Sequence, residues 1–343
     1  MSVKGACLLG WIWLLVHVAC GQERLVFYNL ENLFDTSDDP HARDEEFTPG
    51  GAKHWTADRY ADKLRRLAQA LDSVGGGEWP VVIGVAEAEN RRVLEDLTRK
   101  TRMAKGKYAI VHHDSPDVRG IDVALLYRKK WMRVLAEEAL QVSYKEGRRA
   151  RTREVLYVKG LAGGDTLHFF VCHFPSMVGG EKQSEWKRVR VAELVRGRVD
   201  SLFAADSGAM VVVMGDMNGD ADTRAQRILC PSVDTATYRT GELYNPGAYL
   251  LKSPFGSYRY RGRWQTLDHI LVSGSMLNGT APRQLSRRTV VYSAPFLLEE
   301  DKSHFGFKPF PTYRGPRYYG GYSDHLPVYI EMIKKDGDSP HRK

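Results

Sequence analysis

The chain has 343 residues, 43% of them hydrophobic and 27% charged, and its 50 Lys and Arg against 42 Asp and Glu give a formal charge of +8. That balance excludes an intrinsically disordered, collagen-like or polytopic membrane chain and predicts a soluble globular protein with a real core, as one large domain or two smaller ones. The modest positive excess is a weak pull toward polyanions such as nucleic acid, phosphorylated metabolites or anionic lipid.

Residues 1–21 carry Lys4, an apolar stretch from Ala6 to Ala19 and then small residues at Ala19, Cys20 and Gly21. This is the pattern of an export signal peptide. A spanning anchor would need about 20 apolar residues, and this run is shorter and broken by His17. Ala19-Cys20-Gly21 is also similar to a bacterial lipoprotein site, where a lipidated Cys20 would attach the protein to a membrane, although His17 stands where an aliphatic residue is usual. An exported protein is expected, periplasmic, secreted or lipid-anchored, with the mature chain starting near Gln22. Cys7 and Cys20 belong to this leader, which leaves Cys172 and Cys230. There is no disulfide framework or zinc spacing. The two thiols could pair in an oxidising compartment, but Cys172 sits in a strand-like apolar run where a buried free thiol is the commoner state.

Beyond the leader, short apolar runs rich in β-branched residues recur at residues 24–28, 81–86, 121–127, 166–173, 210–214, 267–272 and 326–332. Their length and composition predict strands. Two segments have helical spacing instead, through Tyr60, Leu64, Leu67, Ala68 and Leu71, and through Trp186, Val189, Leu194, Val195, Val199 and Leu202. Strands interleaved with few helices predict an α/β sandwich of mixed sheets more than a purely parallel wheel. Residues 35–56 and 275–322 are long irregular stretches expected to form functional surface loops. With no linker in between, residues 22–335 are expected to form a single catalytic domain and residues 336–343 a disordered tail.

Nearly every apolar run stops in a polar cluster: Asn29 and Glu31, Glu87 and Glu89, His173, Asp216 and Asn218, Asp268 and His269, and Ser323-Asp324-His325. Turn chemistry alone supplies Asp, Asn and Ser at strand ends. Carboxylate, carboxamide and imidazole at so many ends together point to one shared site at one edge of the sheets. Oxygen donors without a Cys and His set suit a hard cation, Mg²⁺, Mn²⁺ or Ca²⁺, rather than structural zinc.

In this order and spacing the segments resemble the endonuclease/exonuclease/phosphatase superfamily, also called the deoxyribonuclease I-like fold, as a bacterial exported member. Phe27-Tyr28-Asn29-Leu30-Glu31-Asn32 is similar to its first motif and Ile83-Gly84-Val85-Ala86-Glu87 to its second. Gly120-Ile121-Asp122-Val123-Ala124 resembles a core strand, Thr152-Arg153-Glu154 the phosphate-facing arginine segment, and Val171-Cys172-His173-Phe174-Pro175-Ser176 the histidine motif. Met214-Gly215-Asp216-Met217-Asn218, Thr266-Leu267-Asp268-His269 and Tyr322-Ser323-Asp324-His325-Leu326-Pro327 are similar to the remaining three. The resemblance implies a four-layer α/β/β/α sandwich, two packed mixed β-sheets flanked by helices, and a Mg²⁺-dependent hydrolase. It also implies roles. Glu87 is the main metal ligand with Asn29, and Asp324 stands on the metal side. Asp216 orients and deprotonates water, Asn218 fixes the phosphate, Asp268 holds His325 to donate to it, and His173 and Arg153 bind phosphate. Two departures stand out: Met177 follows Ser176 where an Arg is frequent, and His269 replaces a frequent Gln.

The implied function is an exported divalent-metal phosphoesterase, foremost a nuclease cleaving DNA or RNA with low sequence specificity. A phospholipid or a small phosphate monoester could use the same site, and Phe305, Phe307 and Phe310 are the candidate lipid-facing residues. A non-catalytic binding protein is opposed by the unbroken set of acidic and imidazole groups. The segment Tyr313-Arg314-Gly315-Pro316-Arg317-Tyr318-Tyr319 could stack bases or pack locally. His112 and His113 are expected on the surface, and nothing points to a protein partner.

Overall fold

A computed structural model describes residues 22–145, 147–231 and 237–333. The expected leader with Cys20 and the expected tail of residues 336–343 lie outside the described residues. In chain order the main elements are β1 (Arg24–Leu33), α1 (Ala57–Val74), β2 (Val82–Ala88), α2 (Arg91–Arg99), β3 (Tyr108–His112), β4 (Asp122–Arg128), β5 (Arg133–Leu140), β6 (Val155–Ala162), β7 (Asp165–His173), α3 (Glu181–Ala205), β8 (Met210–Asp216), α4 (Arg224–Leu229), β9 (Leu243–Tyr244), β10 (Asp268–Ser273), β11 (Gln284–Leu285), β12 (Val290–Val291) and β13 (Val328–Ile333). Every apolar run forms a strand, and both periodic segments form helices.

The strands make two large sheets, one ordered β11-β13-β1-β2-β4-β3 with β12 beside β13, the other β9-β10-β8-β7-β6-β5. Each sheet has one parallel pair, β1 with β2 and β7 with β8, and antiparallel neighbours elsewhere. A parallel pair needs a crossover, and α1 and α3 supply the two. Both sheets are therefore mixed, as expected.

The strand period of two sorts side chains into layers. Leu25, Phe27, Val82, Ala86, Phe169, Val171, Val212, Met214, Ile270 and Val328 share a core cluster between the sheets. Their alternates on the first sheet, Val26, Tyr28, Ile83 and Val85, pack with Leu64, Leu67 and Leu71 of α1 and Leu94 of α2. Phe170, Cys172, Val211, Val213 and Leu271 pack with Val191, Val195 and Val199 of α3. The four-layer expectation holds. Cys172 and Cys230 are free and buried.

The helix α2 and the strands β3, β5 and β6 lie outside the apolar runs and periodic segments of the sequence. The sequence of β5, Arg-Val-Leu-Ala-Glu-Glu-Ala-Leu, is made of helix formers. It is an exposed edge strand whose backbone pairs with β6 from Arg133 to Leu140, so tertiary pairing overrides propensity. His112, expected on the surface, instead bonds the Asp122 carboxylate through Nε2 at 3.1 Å.

The sheets approach closely at Gly84, where a Cβ would lie 2.5 Å from the Met214 sulfur of the facing sheet. Gly84→Val is expected to destabilise the protein by about 1–3 kcal/mol through overpacking. Urea unfolding would check this, and the companion change Met214→Ala should recover part of the loss.

Candidate active site

The inter-sheet layer ends in polar residues at one edge, because the same alternation that buries the core continues past it. Asn29 follows Leu25 and Phe27, His173 follows Phe169 and Val171, and Asp216 follows Val212 and Met214 on the same parity. In the second sheet His173 and Asp268 both stand opposite Asp216 in register. Glu87 falls on the wrong parity and is brought in by a bulge: the pairing of β2 shifts between Ala86 and Ala88, and Glu87 takes φ 63°. The end of β1 shifts likewise, with φ 51° at Glu31 and 50° at Asn32. Left-handed backbone costs roughly 1–2 kcal/mol per L-residue, and bulges re-aim side chains beside active sites.

The groups interlock across the sheets. Asn29 Nδ2 donates to Asp216 Oδ2 at 3.1 Å, and Asn32 N donates to Glu87 Oε2 at 2.9 Å. His173 Nε2 lies 3.8 Å from Glu87 Oε1 and 3.7 Å from Asp216 Oδ2. Asn218 donates its backbone N–H to Asp216 Oδ1 at 2.9 Å and its amide to Phe174 O at 3.0 Å. His325 Nδ1 meets Asp268 Oδ2 at 2.7 Å, which leaves Nε2 at 3.8 Å from Asp216 Oδ2. Asp324 lines the same pocket. Of the sequence-derived set, Asn29, Glu87, His173, Asp216, Asn218, Asp268, Asp324 and His325 converge here.

Burial and charge set the protonation. Burial alone would depress His325, but the carboxylates of Asp268 and Asp216 outweigh it and hold the imidazole well above its ordinary value, hence charged at neutral pH. Burial, joined by the cations Arg153 and Arg119, keeps His173 well below and neutral. Burial and the neighbouring charges of Asp268 and Glu87 raise Asp216, and burial with Glu31 and Glu87 raises Asp324. Lys63, fully buried, sits 3.7 Å from Glu31 and offsets part of this negative charge.

The donor set fits a hard divalent cation. The carboxylates of Glu87, Asp216 and Asp324 line one pocket, Asn29 joins them through its bond to Asp216, Asp268 Oδ1 is buried without a hydrogen-bond partner, and oxygen donors predominate, with the charged His325 outside the ligand set.

Other sequence-derived residues serve different ends. Arg153 does not face the pocket: its guanidinium donates to Asp117 Oδ2 at 2.9 Å and Phe174 O at 3.0 Å, behind Asn218. That corrects its expected role as a phosphate clamp, because both of its NH groups are spent within the protein. His269 is buried, with Nδ1 facing the Asn245 amide and Nε2 facing Gly219 O, a neutral imidazole that ties down the turn after Asp216. In the tyrosine-rich segment, Tyr313 packs on Phe47 and Trp55 and Tyr318 bonds Asp62, so it packs locally.

The pocket, about 470 Å³, has walls that periodicity did not reveal. Tyr258, Tyr260 and Gln265 come from a hairpin of Tyr258–Tyr260 and Arg263–Gln265; Met177, Val178 and Gly179 form a facing loop, and Arg119 a third side. The hairpin's Arg261-Gly262 turn, with φ 48° and 81°, was a legible signal, since Gly in such a pair between aromatic residues marks a tight hairpin.

The sequence profile of the endonuclease/exonuclease/phosphatase family matches residues 24–334, so the chain belongs to that family. It is accordingly a metal-dependent phosphoesterase. No curated protein matches the sequence. Among solved structures, a family protein from Bacteroides thetaiotaomicron superposes with a TM-score of 0.57 at 17% identity, over 91% of this chain and 97% of that one. A mannosyl-6-phosphatase from the same organism gives 0.54 at 17% identity, over 91% and 100%. D. rerio TDP2 complexed with a single-strand DNA product gives 0.55 at 16% identity, over 91% and 99%. At these identities the likeness shows the fold.

Glu89, two residues beyond Glu87, accepts Asp35 N at 2.5 Å. Burial and the charges of Asp35, Asp44 and Asp39 nonetheless push it up to about 8, against about 4.3 when unfolded. The folded state binds this proton more tightly, so its stabilisation is full below the unfolded value and is lost as pH rises toward 8. Glu89→Gln, which keeps an acceptor for Asp35, is expected to raise the thermal midpoint relative to the parent near pH 8 and to leave it unchanged near pH 4. Equal midpoints at both would count against this account.

Proposed function

We propose that the protein is an exported phosphodiesterase that hydrolyses nucleic acid with little sequence specificity, using Mg²⁺ or a similar cation. The observation that carries the substrate class is the hairpin over the acidic floor. It lines the pocket with Tyr258 and Tyr260 and exposes Arg261 and Arg263 beside them, with the Arg261 guanidinium 5.2 Å from the Tyr260 ring centre. Aromatic faces that stack bases beside cations that meet the backbone are the chemistry of sequence-tolerant strand binding. The overall charge of +8 favours the same polyanion. The likeness to TDP2, solved with a DNA product, agrees with it. Export rests on the leader pattern of residues 1–21.

Glu87 and Asn29, with Asp324 beside them, would hold the cation. When bound, it supplies positive charge against the phosphate oxygens and the leaving oxygen. Asp216 orients the attacking water and takes its proton, a task suited by a carboxyl raised toward neutrality. Asn218 fixes Asp216 through the backbone bond already described. His325, charged by its pairing with Asp268, donates from Nε2 to a phosphate oxygen as negative charge builds there. His173, neutral, offers a hydrogen bond without adding charge. Water oxygen bonds to phosphorus as the bond to the leaving oxygen breaks in line.

A phospholipid is the second reading, favoured by Phe305 and Phe307, which are 88% and 60% exposed on a loop bonded to Arg259 of the same hairpin. Phe310 is not part of that surface; it packs against Tyr322.

Purified protein incubated with plasmid, RNA, sphingomyelin vesicles and a phosphomonoester, with Mg²⁺ or with chelator, is expected to cleave the nucleic acids only when metal is present. Lipid turnover without nucleic acid cleavage would reverse the order of the readings. His325→Ala should lower kcat on the order of 100-fold or more, and Glu87→Gln should abolish the metal response. Full activity in either variant would sink the role assigned to it.

A further inference from the structure

A phosphodiester brings a negative charge into a pocket whose floor is already acidic, lined by Glu87, Asp216 and Asp324. Beyond a metal ion and His325, binding calls for a fixed cation aimed at the non-bridging oxygens. The arginine expected for this, Arg153, is turned away, and the position after Ser176 is Met177. Among the described residues, one lysine or arginine lines the pocket, and it is Arg119.

Arg119 is held as a recognition residue would be. It lies in the short turn before β4, where its backbone N–H donates to Asp117 Oδ1 at 2.9 Å and Gly120 N closes the turn on Asp117 O at 3.1 Å. Gly120 takes φ 68° and a Cβ there would meet Ala42 at 2.6 Å, so the turn is conformationally specific. The other oxygen of Asp117 is occupied by Arg153 at 2.9 Å. That partner neutralises the aspartate, and the Arg119 side chain approaches it no nearer than 3.9 Å. Among the described residues the Arg119 guanidinium donates no hydrogen bond, and its side chain is 47% exposed. An anchored backbone with an uncommitted planar fork suits bidentate recognition of a phosphate.

We propose that Arg119 is the phosphate-gripping arginine of this enzyme, with Arg153 and Asp117 as the buried pair that positions it. The inference rests on the phosphoesterase site and names a residue within it. It also gives Arg153 its function, which is to hold Asp117 and the Phe174 carbonyl so that Arg119 and Asn218 keep their places.

Isothermal titration of the full-length protein with inorganic phosphate, in the presence of Mg²⁺, is the test. Arg119→Met is expected to weaken phosphate binding on the order of 10-fold or more, the loss of charge-assisted hydrogen bonds, with an unchanged thermal midpoint. Arg119→Lys should recover part of it, since a point charge replaces the fork. Arg151→Met, an exposed arginine outside the pocket, should bind as the parent does. Parental affinity in Arg119→Met, or no phosphate binding by the parent, overturns the proposal. Phosphate binding that is lost in Arg119→Met while no ester is hydrolysed would leave this assignment standing and remove the proposed function instead.

Discussion

Negative charge confined at the end of an apolar layer is the constraint on which this structure turns. Glu31, Asp216 and Asp268 are each less than one-tenth exposed, Glu87 retains 12% side-chain exposure, and Asp324 joins them at the pocket wall. Such a group of carboxylates is unfavourable unless counter-charges or protons come with it. The fold supplies what it can: Lys63 beside Glu31, a charged His325 between Asp268 and Asp216, and backbone N–H groups aimed at Glu87, Glu31 and Asp216. The deficit left over is what makes the site receptive to a divalent cation. Charge stored in the resting protein and affinity for metal are two faces of one arrangement.

The topology makes the confinement achievable. Each sheet has a single parallel pair, so β1 and β2 end at the same edge, as do β7 and β8, while β10 starts there. Crossing helices on the outer faces leave the inner faces free to meet. Glu87 needs an irregular backbone to arrive, and left-handed residues at the strand ends, Glu31 and Asn32 after Asn29, Glu87 itself and Asn218 after Asp216, mark where the fold departs from regular pairing.

Much of this was legible in the sequence because strand alternation and strand-end chemistry are both local. Asn29, His173, Asp216 and Asp268 could be read as ends of apolar runs, and pairing then carried them together. Arg153 was read as facing phosphate, because its motif says nothing of Asp117, which lies far away in sequence and claims the guanidinium. For Tyr313 and Tyr318 base stacking and local packing stayed equally open, because nothing local in the chain tells that Phe47 and Trp55 from the loop after β1 would fold against them. Arg119 is not legible from sequence, since a lone arginine before a strand carries no periodicity. The edge strand β5 was hidden by helix-forming residues whose fate was decided by β6.

The hairpin that walls the pocket is not a free appendage. Tyr258 pairs with His325 as an isolated bridge, their rings lie 4.8 Å apart, and Ser257 accepts from the backbone of Leu267 and Asp268 while its carbonyl takes Leu326 N at 2.7 Å. The root of the hairpin is therefore stitched to both members of the charged pair, whereas its tip, Arg261 and Gly262, is tied only to the surface loop of Phe305 and Phe307, through the Arg259 guanidinium that donates to Gly262 O. Inheritance can work differently on the two ends: a lineage could rewrite the tip to admit a new ester without disturbing the reaction, but any change at the root would alter substrate choice and proton placement in one stroke.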